Sequence, residues 1–185
     1  AAEGKFPAAL SIMQSLEDES PLAPNAYILY AHILSSMGKH NTAIEKLDST
    51  AKFAEKTPQI SEKLIQLYHQ TEQYDNALEE IDYYTRKQFG DDRYVLTKAS
   101  IYFEQNRLKD AKATLEEAYG NWVNEPAKLS RLSKMQIRIK DELGYQQSLT
   151  RILTLANDKD LSALLQLSQL YAKQQNFELS TKQLT

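Results

Sequence analysis

The sequence predicts an all-α fold, an α-solenoid of about five repeats, and three observations predict it. Ala9, Ala43, Ala77 and Ala111 recur at intervals of 34 residues, and Ser148 and Ser180 continue the series after 37 and 32. Self-similarity at such a spacing marks stacked two-helix units, not one closed globule. Apolar residues recur at three- and four-residue spacing, as on one face of a helix, and no stretch alternates strictly as a half-buried strand does. The helix breakers Gly4, Gly38, Gly90, Gly120 and Gly144, with Pro7, Pro21, Pro24, Pro58 and Pro126, stand between or beside those apolar runs.

Each element follows from its stripe. A helix over 7–19, carrying Ala9 and Met13, is the second helix of a partial repeat at 1–23. The repeat at 24–57 pairs 24–37 (Tyr27, Tyr30, Ala31, Leu34) with 41–55 (Ala43, Ile44, Leu47). The repeat at 58–91 pairs 58–71 (Leu64, Ile65, Tyr68) with 75–89 (Ala77, Leu78, Ile81, Tyr84). At 92–126, 92–105 (Val95, Ala99, Tyr102) pairs with 109–122 (Ala111, Leu115, Ala118), and the long link Gly120–Pro126 holds an extended helix end or an extra turn. At 127–160, 127–142 (Leu132, Met135, Ile139) pairs with 146–157 (Leu149, Ile152, Leu155). Residues 161–185 hold a helix over 161–174 (Leu164, Leu167, Tyr171) and the start of another at 178–185. Ala31, Ala99 and Ser168 in the first helices, and Ala43, Ala77 and Ala111 in the second, let helix axes approach to ~8–10 Å. Phe6, Tyr74, Leu108, Tyr145 and Phe177, three places before each marker residue, are expected to plug the space between paired helices, with His40 making one looser turn.

This pattern resembles the tetratricopeptide repeat. Tyr27, Tyr30, Ala31, Leu34, Ala43, Leu47 and Pro58 follow the family's W-x2-L-G-x2-Y, A-x3-F and P positions, and Ala9, Met13 and Pro21 do so in the first unit. Ile65 and Gln136 depart from the small-residue position, and Lys98 from an apolar one. The resemblance implies a right-handed superhelix of antiparallel helix pairs, whose first helices line a concave surface that receives partner segments. Matched unit by unit, the implied groove positions are Asn25, Ile28 and His32; Gln59, Glu62, Gln66 and His69; and Arg93, Leu96, Ser100 and Phe103. Later units add Ser130, Ser133 and Ile137, then Ser162, Leu165 and Gln169. Amide, hydroxyl and isolated apolar groups suit a peptide held through its backbone and a few side-chain pockets. The family's clamp for chaperone C-terminal tails is largely missing, because Ile28, His32, Lys63, Arg93 and Thr97 stand at its places.

Composition excludes several function classes. A net charge of −3 gives no global attraction to nucleic acid or anionic lipid. No apolar run approaches the ~20 residues that span a bilayer, so no direct membrane insertion is expected. With no cysteine, disulfides, thiolate nucleophiles and Cys-based zinc sites are all removed. His32, His40 and His69 show no metal-ligand spacing, and neither a G-x-S-x-G elbow nor a phosphate-cradling loop occurs. No cofactor, metal or catalytic residue is therefore expected. Glu79–Glu80 and Asp91–Asp92 read as helix-end or outer-face carboxylates, with Asp91 and Asp92 capping the helix that follows.

Lys128, Arg131, Lys134 and Arg138 form a basic stripe at helical spacing. It is either a solvated face paired with nearby acids or a groove border that attracts an acidic segment. Tyr27, Tyr68, Tyr102 and Tyr171 read as core. Phe103 should face away from that core, and Trp122 is a local plug or an exposed anchor. Both ends read as cut from a longer solenoid, leaving apolar surface that favours self-association.

The expected function is a non-enzymatic protein-interaction scaffold or adaptor, part of a larger bacterial protein. The rival expectation is a docking or assembly arm of an enzyme or cell-envelope export machine whose activity lies outside these residues. Cytoplasm and bacterial cell envelope both fit.

Overall fold

The computed structural model describes residues 5–20, 22–50, 56–87 and 91–174. Among these residues there are ten helices and no strand. The chain divides into two compact units, Ala1–Asp92 and Arg93–Thr185. The first unit holds α1 (Lys5–Glu19), α2 (Pro24–Ser36), α3 (His40–Ser49), α4 (Pro58–Gln70) and α5 (Tyr74–Lys87). The second holds α6 (Val95–Glu104), α7 (Leu108–Trp122), α8 (Pro126–Arg138), α9 (Glu142–Leu155) and α10 (Leu161–Lys173). The architecture is all-α and solenoid-like, with about five repeats. Within the first unit α2 packs on α3 and α4 on α5, while α1 leans on α2 and α3 on α4; within the second, α6 packs on α7, α8 on α9 and α9 on α10.

One turn geometry joins the helices of four pairs. Gly38, Glu72, Asn106 and Lys140 each take a left-handed backbone, with φ of 75°, 58°, 59° and 59°. The next amide in each turn donates back to the helix just ended: Lys39 N to Leu34 O, Gln73 N to Tyr68 O, Arg107 N to Tyr102 O and Asp141 N to Gln136 O, at 2.8–2.9 Å. This capping satisfies carbonyls that a helix C-terminus leaves orphaned. Only the first of the four uses glycine, so three turns are invisible to a search for glycine breaks.

Three expectations change here. The second helices begin at His40, Tyr74, Leu108 and Glu142, each 34 residues after the last. The period therefore does not slip in the fourth unit. Tyr145, not Ser148, is the counterpart of Ala43, Ala77 and Ala111, and Ser133, not Gln136, is that of Ala31 and Ala99. Gly144 lies inside α9 and Gly120 inside α7, so neither is a break. The added residue lies instead between α9 and α10, where Asn157 and Asp158 both have positive φ.

The displaced pair serves the core. Buried Ser148 donates its hydroxyl to Oε1 of buried Gln136 at 2.8 Å. In the second unit Ala99, Leu115, Leu129, Leu132, Leu149 and Leu167 form one buried cluster, and Trp122 belongs to it as a local plug at the end of α7. The tyrosine stripe is core as expected: Tyr27, Tyr68 and Tyr171 are buried, and Tyr102 packs against the second unit's cluster. Of the expected turn plugs, Tyr145 is buried, Phe6 and Tyr74 are half-buried, and Leu108 is exposed. Gly4, Pro21, Gly90, Phe177, Ser180 and the helix at 178–185 lie outside the described residues.

The acidic pairs also differ from expectation. Glu80 is buried and its Oε2 accepts from Lys56 Nζ at 2.8 Å, so only Glu79 is exposed. Asp91 accepts the Tyr84 hydroxyl at 2.8 Å. The N-cap of α6 is Tyr94, with no side-chain cap bond. Side-chain caps occur elsewhere: Thr57 Oγ1 accepts from Ile60 N before Pro58, and Asp160 Oδ1 accepts from Ala163 N.

Candidate protein-binding groove

In the first unit the groove positions fall on α2 and α4, which lie side by side. Asn25, His32, Gln59, Glu62 and Gln66 are exposed, while Ile28 and His69 are half-buried. The His69 ring lies 6.1 Å from that of Tyr74. Among the described residues no cluster of His, Cys, Asp and Glu is placed to hold a metal ion, and no helix is long and apolar enough to cross a membrane.

In the second unit α8 reaches over to α6 through one side chain. Arg138 Nη1 donates to Ser100 Oγ and Nη2 to Glu104 Oε1, both at 3.0 Å, and Ser100 Oγ donates to the same carboxylate oxygen. The guanidinium carbon also stands 5.9 Å from the centre of the Phe103 ring. Charge-assisted bonds and a cation over a ring make this a clasp. Ser100 is buried under it. Phe103 and Leu96 are partly buried against the unit's core, which corrects the expectation that Phe103 faces away. Arg93 is exposed.

The basic stripe therefore divides. Lys128 pairs with Glu125 at 3.0 Å and Arg138 with Glu104. Arg131 and Lys134 are exposed, and no ion pair to either is found among the described residues. Counted in 34-residue steps, Lys134 follows His32, Gln66 and Ser100. The sequence reading placed Ile137 there because it shifted this unit by three residues.

Between α8 and α10 runs a groove of about 330 Å³. Ser130, Ser133 and Lys134 line one wall, Asp160, Ser162, Ala163 and Gln166 the other, and Leu149 and Ile152 of α9 contribute apolar surface. The far wall is held in place. Tyr145 donates its hydroxyl to Gln166 Oε1 at 2.9 Å, and Gln166 Nε2 donates to Ser162 Oγ at 2.9 Å. Ser133 is nearly covered and donates to the Ser130 carbonyl at 3.0 Å. Leu165, Gln169 and Ile137 are exposed on the same two helices but do not line the groove. Hydroxyls and an amide over aliphatic surface, with the Lys134 cation on one wall and the Asp160 carboxylate, which caps α10, on the other, can hold a peptide backbone and one apolar side chain together. Gln166, Leu149 and Ile152 were not anticipated as lining. The stripe spacing marks the last two as core, and no motif marks the first.

Residues 93–120 match the family model for the tetratricopeptide repeat. No curated protein sequence matches the chain. Among solved structures, the C-terminal part of a TPR repeat-containing protein from Cytophaga hutchinsonii is similar at 13% identity, over 98% of this chain and 72% of that one, with a TM-score of 0.73. A tetratricopeptide repeat protein from Parabacteroides merdae is similar at 12% identity, over 98% and 72%, with a TM-score of 0.63. YrrB, described as a TPR protein with an unusual peptide-binding site, is similar at 14% identity, over 93% and 88%, with a TM-score of 0.59. Identities this low establish the fold alone. A matched repeat at 93–120, inside ten helices that share their fold with these proteins, makes this a chain of tetratricopeptide-repeat architecture.

Proposed function

We propose that the chain is a non-enzymatic scaffold that holds a segment of a partner protein in the groove between α8 and α10. The tetratricopeptide fold generally serves protein–protein interaction and is generally non-catalytic. The groove itself carries the finer reading: Ser130, Ser162 and Gln166 offer hydrogen bonds at its walls, Leu149 and Ile152 offer an apolar surface, and Lys134 adds a positive charge. An extended segment with one apolar anchor and a nearby carboxylate suits those groups. YrrB's described peptide-binding site is consistent with a peptide ligand for this architecture.

Peptides selected from a random library on the wild-type chain test this. Lys134→Glu and Ser162→Arg should each weaken the selected peptides by about tenfold, roughly 1.4 kcal/mol. A Glu62→Lys change on α4 should leave them bound. If the selected peptides bind both groove variants as tightly as wild type, the groove is not the site.

A further inference from the structure

The α8–α10 groove carries opposite charges at its two ends. Of the described residues that line it, Lys134 and Asp160 alone are charged. α9 reverses the chain between α8 and α10, so these two helices run in one direction, and Pro126 and Asp160 mark the end where both begin. Lys134 lies about two turns further along α8, roughly 12 Å at 1.5 Å per residue. Both charges are open to a ligand. Lys134 is exposed, with no ion pair among the described residues. Asp160 Oδ1 accepts from Ala163 N at 3.0 Å, while Oδ2 takes no hydrogen bond or ion pair among the described residues. Near the same end, Glu125 and Lys128 are paired with each other at 3.0 Å.

The corresponding space one repeat earlier is bridged. There Arg138 crosses from α8 to α6 and lies against Ser100 and Phe103. Its counterpart on α10, allowing for the added residue, is Lys173, which pairs with Glu142 of α9 at 2.8 Å. Both walls and the floor of the open groove are described helices, so it is a feature between neighbouring repeats. We propose that this groove sorts its ligands by a pair of opposite charges, an inference that rests on the groove being the peptide site. The occupant is an extended segment of a partner protein. A Lys or Arg of that segment faces Asp160, an Asp or Glu faces Lys134, and an apolar side chain between them meets Leu149 and Ile152. An extended chain advances ~3.3 Å per residue, which sets the two charges about four residues apart. The charges also fix which way the segment lies, because the reversed segment brings like charges together.

The test sequences peptides selected from a random library on the wild-type chain, then titrates them at low salt into two neutral variants. Asp160→Asn removes the charge but keeps the cap of α10, since Asn caps a helix as well as Asp does. Lys134→Gln removes the other charge. The selected pool should be enriched in opposite charges at that spacing around an apolar residue. Asp160→Asn should weaken these peptides about fivefold, and should not weaken versions whose basic residue is changed to Gln. Lys134→Gln should show the same dependence on the acidic residue. Circular dichroism checks that both variants fold as wild type does. A pool without paired charges overturns the proposal, as does an Asp160→Asn loss that is equal with and without the basic residue. In either case a loss on Ser162→Arg still keeps the groove as the peptide site, whereas indifference to Ser162→Arg ends both readings. A dimer of the chain that Ser162→Arg abolishes makes a second copy the occupant and overturns the proposal. Tighter peptide binding when Glu178 and Lys182 of the full chain are both changed to Gln makes the chain's own tail the occupant, and overturns it too.

Discussion

Gly144 and Gly120 are both helical, yet a methyl group added at each has opposite consequences. A Cβ on Gly144 would meet Asp141 Oδ2 at 2.4 Å and Gln136 Nε2 at 2.7 Å, whereas one on Gly120 meets nothing within 4 Å. Gly144→Ala is therefore expected to destabilise the protein by about 1–3 kcal/mol, through displaced polar partners in a packed site. Gly120→Ala should stabilise it by about 0.5–1 kcal/mol through helix propensity. Urea unfolding of both variants checks the signs. The neighbouring Ser148–Gln136 bond makes a second prediction. Ser148→Ala leaves a buried amide oxygen without its donor, at a cost of about 1–3 kcal/mol, and adding Gln136→Leu should recover part of that loss. Composition shows how many glycines there are but not which ones pack closely. Gly144 reads as a turn in sequence because nothing local reveals that Lys140 takes the left-handed backbone instead.

The helices themselves were legible, because amphipathic spacing depends on local chain geometry alone. Each of the ten helices expected within the described residues meets an observed element, but the one expected at 146–157 begins four residues earlier, at Glu142, and the one expected at 127–142 ends four residues earlier, at Arg138. Partner choice across elements was not legible. Glu80 reads as an outer carboxylate until Lys56, from the turn before α4, reaches it, and Lys56 also lies 3.5 Å from Asp48. That cluster predicts an alkaline response. Burial first, then the bond to Asp48 at 2.7 Å and its charge, hold the Tyr68 pKa above the ordinary 10.0. Burial pulls the Lys56 value down, but the bond and charge of Glu80, with the charge of Asp48, outweigh it and hold it above 10.5. Both folded values exceed the unfolded ones. Their stabilisation is therefore complete below the ordinary values and is lost as pH rises through the folded ones. The thermal midpoint should hold steady up to about pH 9 and fall above about pH 10, by roughly 2–4 °C per kcal/mol lost. Tyr68→Phe should flatten that fall. A slope unchanged in the variant would assign the response to other groups.

At the scale of the whole chain, the 34-residue recurrence announced stacked pairs, and the pairs do pack on sequence neighbours within each unit. The candidate groove was only half legible. Ser130 and Ser162 follow from the register, but a three-residue misalignment hid the place of Lys134, and the Arg138 clasp over Ser100 depends on a contact 38 residues distant. In an array of neighbour-supported pairs, damage should spread to adjacent helices and fade with distance along the chain. Hydrogen exchange resolved by helix, on the full chain carrying Leu132→Ala in the second unit's core, tests this most directly. Protection should fall across α7–α10 while α2–α4 keep wild-type exchange. A uniform loss of protection through all ten helices would mean one closed core and would contradict the account.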